Sequence, residues 1–226
     1  MSVTIQFSRI KLTVTTPYGL LIAGFDCSNV AADEFNAWYD TEHIPERMAV
    51  NGFINAQRWV GADNPQLALA TYDLDNVRVL EDPAYTIRKG EGRSPWSRRI
   101  GSKARLFVRL VGEQVLPGRQ AGPEEAGGLL MVAFNVNPAA DADFNAWCDQ
   151  EHLPALAKVP GVLSARRFKA TEGGPHYVAI YHLTQPDVQA SVAWQAAINT
   201  PWSARIRPQT TDRLRLVFRR YQRASH

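Results

Sequence analysis

One segment of this 226-residue chain is written twice. Phe35-Asn36-Ala37-Trp38-Tyr39-Asp40-Thr41-Glu42-His43-Ile44-Pro45 returns 109 residues later as Phe144-Asn145-Ala146-Trp147-Cys148-Asp149-Gln150-Glu151-His152-Leu153-Pro154, with eight of eleven positions identical. Solenoid units repeat every 20–50 residues or so, so a period of about a hundred marks a duplicated folding unit. The chain is therefore expected to fold as two copies of one small fold.

The likeness extends well beyond that segment. Residues 19–25 and 128–134 are apolar runs opened by glycine, as buried strands are. Ala32-Asp33-Glu34 and Asp141-Ala142-Asp143 put acids where a helix N-terminus presents unsatisfied N–H groups and the positive end of its dipole. The helix is predicted to stop at Pro45 and at Pro154, because the residue before proline is pushed out of the helical region. Val50-Asn51-Gly52-Phe53 and Val159-Pro160-Gly161-Val162 then turn into a strand carrying Arg58-Trp59 or Arg167-Phe168. Gly61 to Pro65, and Gly173-Gly174-Pro175, punctuate a hairpin into a third strand at 67–72 and 177–181. After a second helical region the copies converge at Ser94-Pro95-Trp96-Ser97 and Thr200-Pro201-Trp202-Ser203, and end in strands through Leu106-Phe107-Val108 and Leu216-Val217-Phe218.

Each half thus reads β-α-β-β-α-β, an α+β ferredoxin-like repeat. The predicted boundaries are 19–111 and 128–220. Residues 112–127, with Pro117-Gly118 and Gly122-Pro123, read as a linker. Residues 1–18 have no counterpart in the repeat. Alternation of Val3, Ile5 and Phe7, and of Ile10, Leu12 and Val14, predicts an added strand in that N-terminal extension. One such unit leaves a sheet face bare, and the second copy is its natural cover.

Composition narrows the function classes. The net charge of +3 is mild, and part of the excess lies in Arg213, Arg215, Arg219, Arg220 and Arg223. No basic face with interleaved aromatics accompanies them, so no nucleic-acid partner is expected. They read as a solvated strand face and tail, at most favouring an anionic small ligand. Cys27 and Cys148 fall at non-equivalent places and form no disulfide framework or metal-ligand spacing. No apolar run approaches the ~20 residues that cross a bilayer, and the N-terminus lacks the pattern of a secretory leader. A cytoplasmic protein without a membrane partner is expected.

On a wheel of about 100° per residue, Phe35, Trp38, Tyr39 and Glu42 share one face of the first helix, with His43 at its edge and Asn36 and Asp40 further outward. A carboxylate within an apolar stripe is costly unless paired, hydrogen-bonded or protonated. Two readings follow. In one, Glu42 with His43, and Glu151 with His152, are acid/base groups at the base of a cleft. In the other they are folding contacts, with Glu42 paired to Arg58 and Glu151 to Arg167. Adjacent Glu-His residues diverge by about 100° around a helix, unlike the spacing of a zinc-binding helix, so no metal is expected. Trp96, Trp202, Tyr85 and Trp194 read as core. The repeated Tyr72 and Tyr181 carry hydroxyls that need partners and are candidate donors.

The run Phe-Asn-Ala-Trp-Tyr-Asp-x-Glu-His-Ile-Pro, followed by Val-x-Gly-Phe and an Arg-aromatic pair, resembles the dimeric α+β barrel superfamily. It is nearest the EthD-like members with a Trp-x-x-x-His-x-Pro signature, here Trp38, His43, Pro45 and Trp147, His152, Pro154 with one additional residue between Trp and His. The resemblance implies two sheets joined into one barrel with helices outside, as an intramolecular dimer, with further self-association left open. It implies a small-molecule enzyme using cofactor-independent acid/base chemistry on an aromatic, lactone or polyketide-like compound: an isomerase, cyclase or monooxygenase-like reaction. Glu42, His43, Glu151 and His152 would move protons, and Trp38, Tyr39, Arg47, Tyr72 and Trp147 would bind substrate. A ligand-binding protein without turnover is the alternative. A haem protein is the third, with His152, His176 or His182 as axial ligand. Tyr39 against Cys148, Arg47 against Leu156 and Asn51 against Pro160 predict two unlike clefts, the first and more polar one being the better candidate.

Overall fold

The computed structural model describes residues 16–223. Its strands are β1 Gly19–Asp26, β2 Phe53–Gly61, β3 Leu67–Leu74, β4 Arg105–Leu116, β5 Gly128–Val136, β6 Val162–Glu172, β7 Tyr177–Leu183 and β8 Thr210–Arg220. All pair antiparallel in one closed barrel, in the order β1-β3-β2-β8-β5-β7-β6-β4, with β4 returning to β1. Each half supplies four adjacent strands: its fourth, first, third and second. Two seams join the halves, β2 to β8 and β4 to β6. The strand expected within residues 1–18, around Val3 to Val14, lies outside the described residues.

Side chains alternate across the sheet, as strand geometry requires. Leu20, Ile22, Leu129 and Met131 fill the barrel with Trp59, Phe168 and Phe218. Leu21 and Tyr72 face outward and meet Phe35 and Trp38 of the first helix. Gly52 and Gly161 adopt φ of +96° and +88° in the turns that lead to β2 and β6. A Cβ at Gly52 would sit 2.4 Å from Val79 Cγ2, so glycine is required by both conformation and space.

The first helix of each half does not stop at its proline. Helix α1 Ala32–Trp38 passes through a π-helical turn, Tyr39–His43, into α2 Ile44–Met48. After α3 Pro83–Thr86 and α4 Pro95–Lys103, the second half repeats the device: α5 Asp141–Trp147, a π-turn Cys148–His152, and α6 Leu153–Ala157, followed by α7 Val192–Ile198 and α8 Pro201–Ile206. In the wide turn the Ile44 N–H donates to the Tyr39 carbonyl. Pro45, which has no N–H to give, enters as one of the first residues of α2, where that donor is not needed. The rule that proline ends a helix gave way to this change of helix type.

The segment expected as a linker begins as strand: β4 stays in the sheet to Leu116, paired with β6. Only 117–127 crosses between halves, and it is tied down. The Gly122 N–H donates to Asp73 Oδ2 at 2.7 Å, and Gln57 Nε2 donates to the Pro123 carbonyl at 2.9 Å. Asp73 also accepts from Arg166 Nη1 at 2.5 Å, an ion pair between halves with both side chains 3% exposed or less. The repeat offset carries Asp73 onto His182 and Gln57 onto Arg166. That second pair of places holds a contact of its own, His182 Nε2 to Gln57 Oε1 at 3.1 Å. Burial, aided by Arg166 and Arg220, keeps His182 well below the usual imidazole range and hence neutral.

Asp73→Ala strands the Arg166 charge in the core, and such losses cost about 3–5 kcal/mol. Urea unfolding should register that loss, and Asp73→Ala with Arg166→Met should recover most of it. A single-variant loss below about 1 kcal/mol would show that water reaches Arg166.

Candidate functional site

The duplicated motif resolves into a set of folding contacts. Arg58 donates through Nη1 to Asp40 Oδ1 at 2.7 Å and through Nη2 to Asn36 Oδ1 at 2.5 Å. Arg167 does the same with Asp149, at 2.7 Å, and Asn145. Asn36 and Asp40 therefore face the sheet rather than solvent, and the arginines pair with the aspartates rather than with Glu42 and Glu151. The i, i+4 spacing of Asn and Asp matches the two arms of a guanidinium, and a glutamate two residues beyond the aspartate is turned to another face of the helix.

Glu42 instead accepts hydrogen bonds from Ser94 Oγ at 2.5 Å, Ser97 Oγ at 2.9 Å and Trp38 Nε1 at 3.1 Å. Ser94 is the N-cap of α4, so the carboxylate sits at the positive end of that helix. Glu151 accepts from Thr200 Oγ1, the N-cap of α8, at 2.6 Å. Both carboxylates tie the first helical segment of a half to its last helix. The wide turn brings His43 over Trp38, with ring centroids 4.5 Å apart, and His152 over Trp147 at 4.1 Å. A uniform 100° wheel cannot produce that i, i+5 stacking, because it assumes one helix type throughout.

A cavity of about 280 Å³ opens between helices and sheet in the second half, and neither Glu42 nor Glu151 lines it. The expectation that the first half holds the better cleft is reversed. There Tyr39 replaces Cys148 and Arg47 replaces Leu156. Tyr39 is 2% exposed, Tyr72 is 1%, and Arg47 is buried with its guanidinium 4.8 Å from the Tyr85 ring. Tyr39 and Tyr72 belong, with Trp38 and Phe53, to one continuous cluster in the outer layer of the first half. In the second half the same layer is split in two. Leu130, Leu156, Tyr181 and Trp194 form one part, Phe144, Trp147, Cys148 and Ile206 the other, and the cavity lies between them.

Of the residues expected at a site, Trp147 and His152 line the cavity, and His43, Trp38, Tyr39, Arg47 and Tyr72 pack in the closed half. Tyr181, one of the two candidate donors, lines it too, and the residues not foreseen as lining are Cys148, Leu156, Trp194 and a set of arginines: Arg167, Arg207, Arg213 and Arg215. No aspartate or glutamate joins them. Arg213 and Arg215 lie two apart on β8 and so share a face, which is the signal in the sequence that could have found them.

Burial, with Arg207 and Arg213 adding to it, pushes His152 down to about 4. Burial with Arg47 and Arg58 pushes His43 to about 3. Both rings are neutral at physiological pH, and the Nδ1 of each is sealed without a hydrogen-bond partner. Burial raises the Cys148 thiol to about 12, which removes it as a nucleophile. Among the described residues, no group of three or more His, Cys, Asp or Glu gathers in a metal-holding arrangement.

The three histidines considered as haem ligands do not suit that role. His182 lies inside the barrel with its ring nitrogens engaged by Ser164 and Gln57. His176 sits exposed beside the β6–β7 hairpin and does not line the cavity. His152 does line it, but its ring lies on Trp147, and a space of about 280 Å³ is small even for an ordinary ligand pocket of about 300–1,000 Å³. No helix among the described residues is long and apolar enough to cross a membrane.

The neutral histidines make stability depend on pH in a definite direction. An unfolded histidine titrates near 6.5, so below that value the unfolded chain binds protons that the native state refuses. Stability is full above about pH 6.5 and falls as pH drops toward 4, by at most about 1.4 kcal/mol per pH unit per ring. Urea midpoints between pH 7 and 5 should show this slope, and His43→Phe with His152→Phe should reduce it to the share contributed by the buried His182. An unchanged slope in the double variant would mean that the rings titrate normally when folded.

No protein-family model matches the sequence, and no curated protein does either. Solved structures do match over nearly the whole chain. A protein of Fusobacterium nucleatum, named provisionally as a monooxygenase, aligns with 10% identity and a TM-score of 0.62 over 92% of this chain and 94% of its own. An anthrone oxidase-like protein aligns with 15% identity and a TM-score of 0.60 over 90% and 92%. A chlorite dismutase variant from Candidatus Nitrospira defluvii, crystallised with cyanide, aligns with 10% identity and a TM-score of 0.58 over 92% of each chain. At such identities it is the architecture that is shared, and this chain has the fold of the dimeric α+β barrels.

Proposed function

We propose that this protein is a small-molecule enzyme whose working cleft is the cavity of the second half. It acts by acid/base chemistry, without a metal or organic cofactor, on an aromatic, lactone or polyketide-like compound. The observation that carries the reading is the cavity itself, opened where Cys148 and Leu156 replace the Tyr39 and Arg47 that fill its counterpart. In its lining His152 is the group that is basic yet unprotonated at neutral pH, whereas the thiol of Cys148 stays protonated and the arginines are already charged. His152 accepts a proton from an activated C–H or O–H of the substrate, while Leu130, Val132, Phe134 and Trp194 keep water out. Glu42 and Glu151 hold helices in this scheme, and His43 has no substrate to meet. The name of one structural relative, an anthrone oxidase-like protein, agrees with an aromatic substrate.

The scaffold reading that accompanies this is a fused dimer of two ferredoxin-like units, now bounded at 19–116 and 128–220. Its support is that both halves lay their strands in the same fourth-first-third-second order. Ligand binding without turnover is the second reading, favoured by one observation. The Nδ1 of His152 has no partner to fix the ring's tautomer, as a dedicated base usually has.

Cys148→Tyr, which places the residue of the first half in the second, should close the cavity. Binding of 1-naphthol, followed by its fluorescence, should weaken at least about tenfold, while circular dichroism and melting temperature remain near the parent's. Undiminished binding by the folded variant would place the ligand elsewhere. His152→Gln separates the two readings: turnover lost with binding intact marks an enzyme, and saturable binding with no product from the parent marks a carrier.

A further inference from the structure

The charge at the mouth of the cavity defines its ligand more narrowly. Of the four arginines in the lining, Arg167 is neutralised by Asp149. Arg207 gives its N–H groups to the Ile198 carbonyl and Asn199 Oδ1, and Arg215 to Gln189 Oε1, all uncharged acceptors. Arg213 forms no hydrogen bond or ion pair with any described residue, and none of these three has a carboxylate partner among the described residues. All three are solvent-exposed, at the rim of a floor made by Leu130, Val132, Phe134, Leu156, Trp194 and Ile198.

The placement of Arg213 is a product of the backbone. The β5–β8 ladder pairs Ala133 with Leu214 and Asn135 with Thr211, leaving Asp212 and Arg213 together opposite Phe134. Asp212 takes a left-handed φ of +52° to make this bulge. The closed half lacks the charge. In the register of β1 and β4, the places of Arg207, Arg213 and Arg215 are held by Gly101, Phe107 and Arg109, and Arg109 is paired with Glu172. At these three places uncompensated cations stand in the half that has the cavity and not in the other, where Arg47, a cation without a carboxylate partner among the described residues, is buried against Tyr85. Like charges gathered without a counter-ion repel. Arg215 is held below its ordinary range by burial and by Arg213, and Arg207 and Arg213 act on His152 with no acid to offset them.

We infer that the ligand of this cavity is a one- or two-ring apolar monoanion, its rings on the apolar floor and its carboxylate or enolate oxygens at Arg213, flanked by Arg207 and Arg215. This rests on the second-half cavity as the ligand site. A guanidinium presents paired N–H donors that match the two oxygens of a carboxylate, and the partly desolvated rim strengthens the contact.

Calorimetric titration of the full chain with 1-naphthoate and with 1-naphthamide, equal in shape and different in charge, tests it. Naphthoate should bind at least about tenfold more tightly at low salt, the margin of a charge-assisted contact, and the margin should shrink as salt is added. Arg213→Gln should erase the preference and leave the amide's affinity unchanged. Equal affinity of the parent for both probes would overturn the charge assignment and leave the cavity as a ligand site. Failure of both probes to bind at millimolar concentration would overturn the cavity reading along with it. Binding that survives Cys148→Tyr would show that the acid attaches to the outer surface, which also overturns the proposal.

Discussion

Two buried guanidiniums hold the layers of this protein together. Arg58 and Arg167 rise from the sheet, 7% and 2% exposed, into the apolar space beneath the first helix of each half. A charge removed from water must be met by opposite charge and by hydrogen bonds. The groups that meet it, Asn36 with Asp40 and Asn145 with Asp149, lie one turn apart on that helix. The helix can satisfy both arms only in one orientation. That orientation then directs Trp38 to Ser97 and Trp147 to Ser203, and brings Glu42 and Glu151 to the caps of the last helices. The strongest repeat in the sequence is thus a docking code for helices on a sheet.

The architecture was legible because a repeat of that length carries its own topology, and the glycine turns and strand alternation agreed with it. Two elements were not legible, for separate reasons. The helix running past Pro45 and Pro154 depends on a π-turn, and the wide turn holds one residue more than an α-turn does. The extra residue between Trp and His, relative to the shorter signature, is accommodated there. A wheel of constant pitch therefore misplaced His43, whose stacking on Trp38 depends on that turn. Asn36 and Asp40 were set outward because a wheel does not show the arginine that rises from the sheet to meet them.

The cleft was misplaced for a different reason. Identity between copies marks what both must do, and here both must fold. Space appears where they disagree. Cys148 and Leu156 are individually unremarkable hydrophobic residues, and only against Tyr39 and Arg47 do they signify lost volume. Their effect is seen in the outer core, continuous in the first half and divided in the second. Arg213 and Arg215 were visible in the sequence as part of a basic cluster and Arg207 was not, and what brings the first two to the rim is the strand and bulge that present them together.

The contacts across the barrel bear on how such a chain can evolve. In a symmetric pair of identical units, each place on one copy meets its complement on the other, twice over. Here one instance has become Asp73 with Arg166, and the other His182 with Gln57. Were the second half to pair with another copy of itself, Arg166 would face His182 at both places, with no acid for either guanidinium. Were the first half to do so, Asp73 would face Gln57, with no cation for the carboxylate. These four places fit each half to the other rather than to a copy of itself, so a change at any one of them is constrained by the residue it meets in the opposite half.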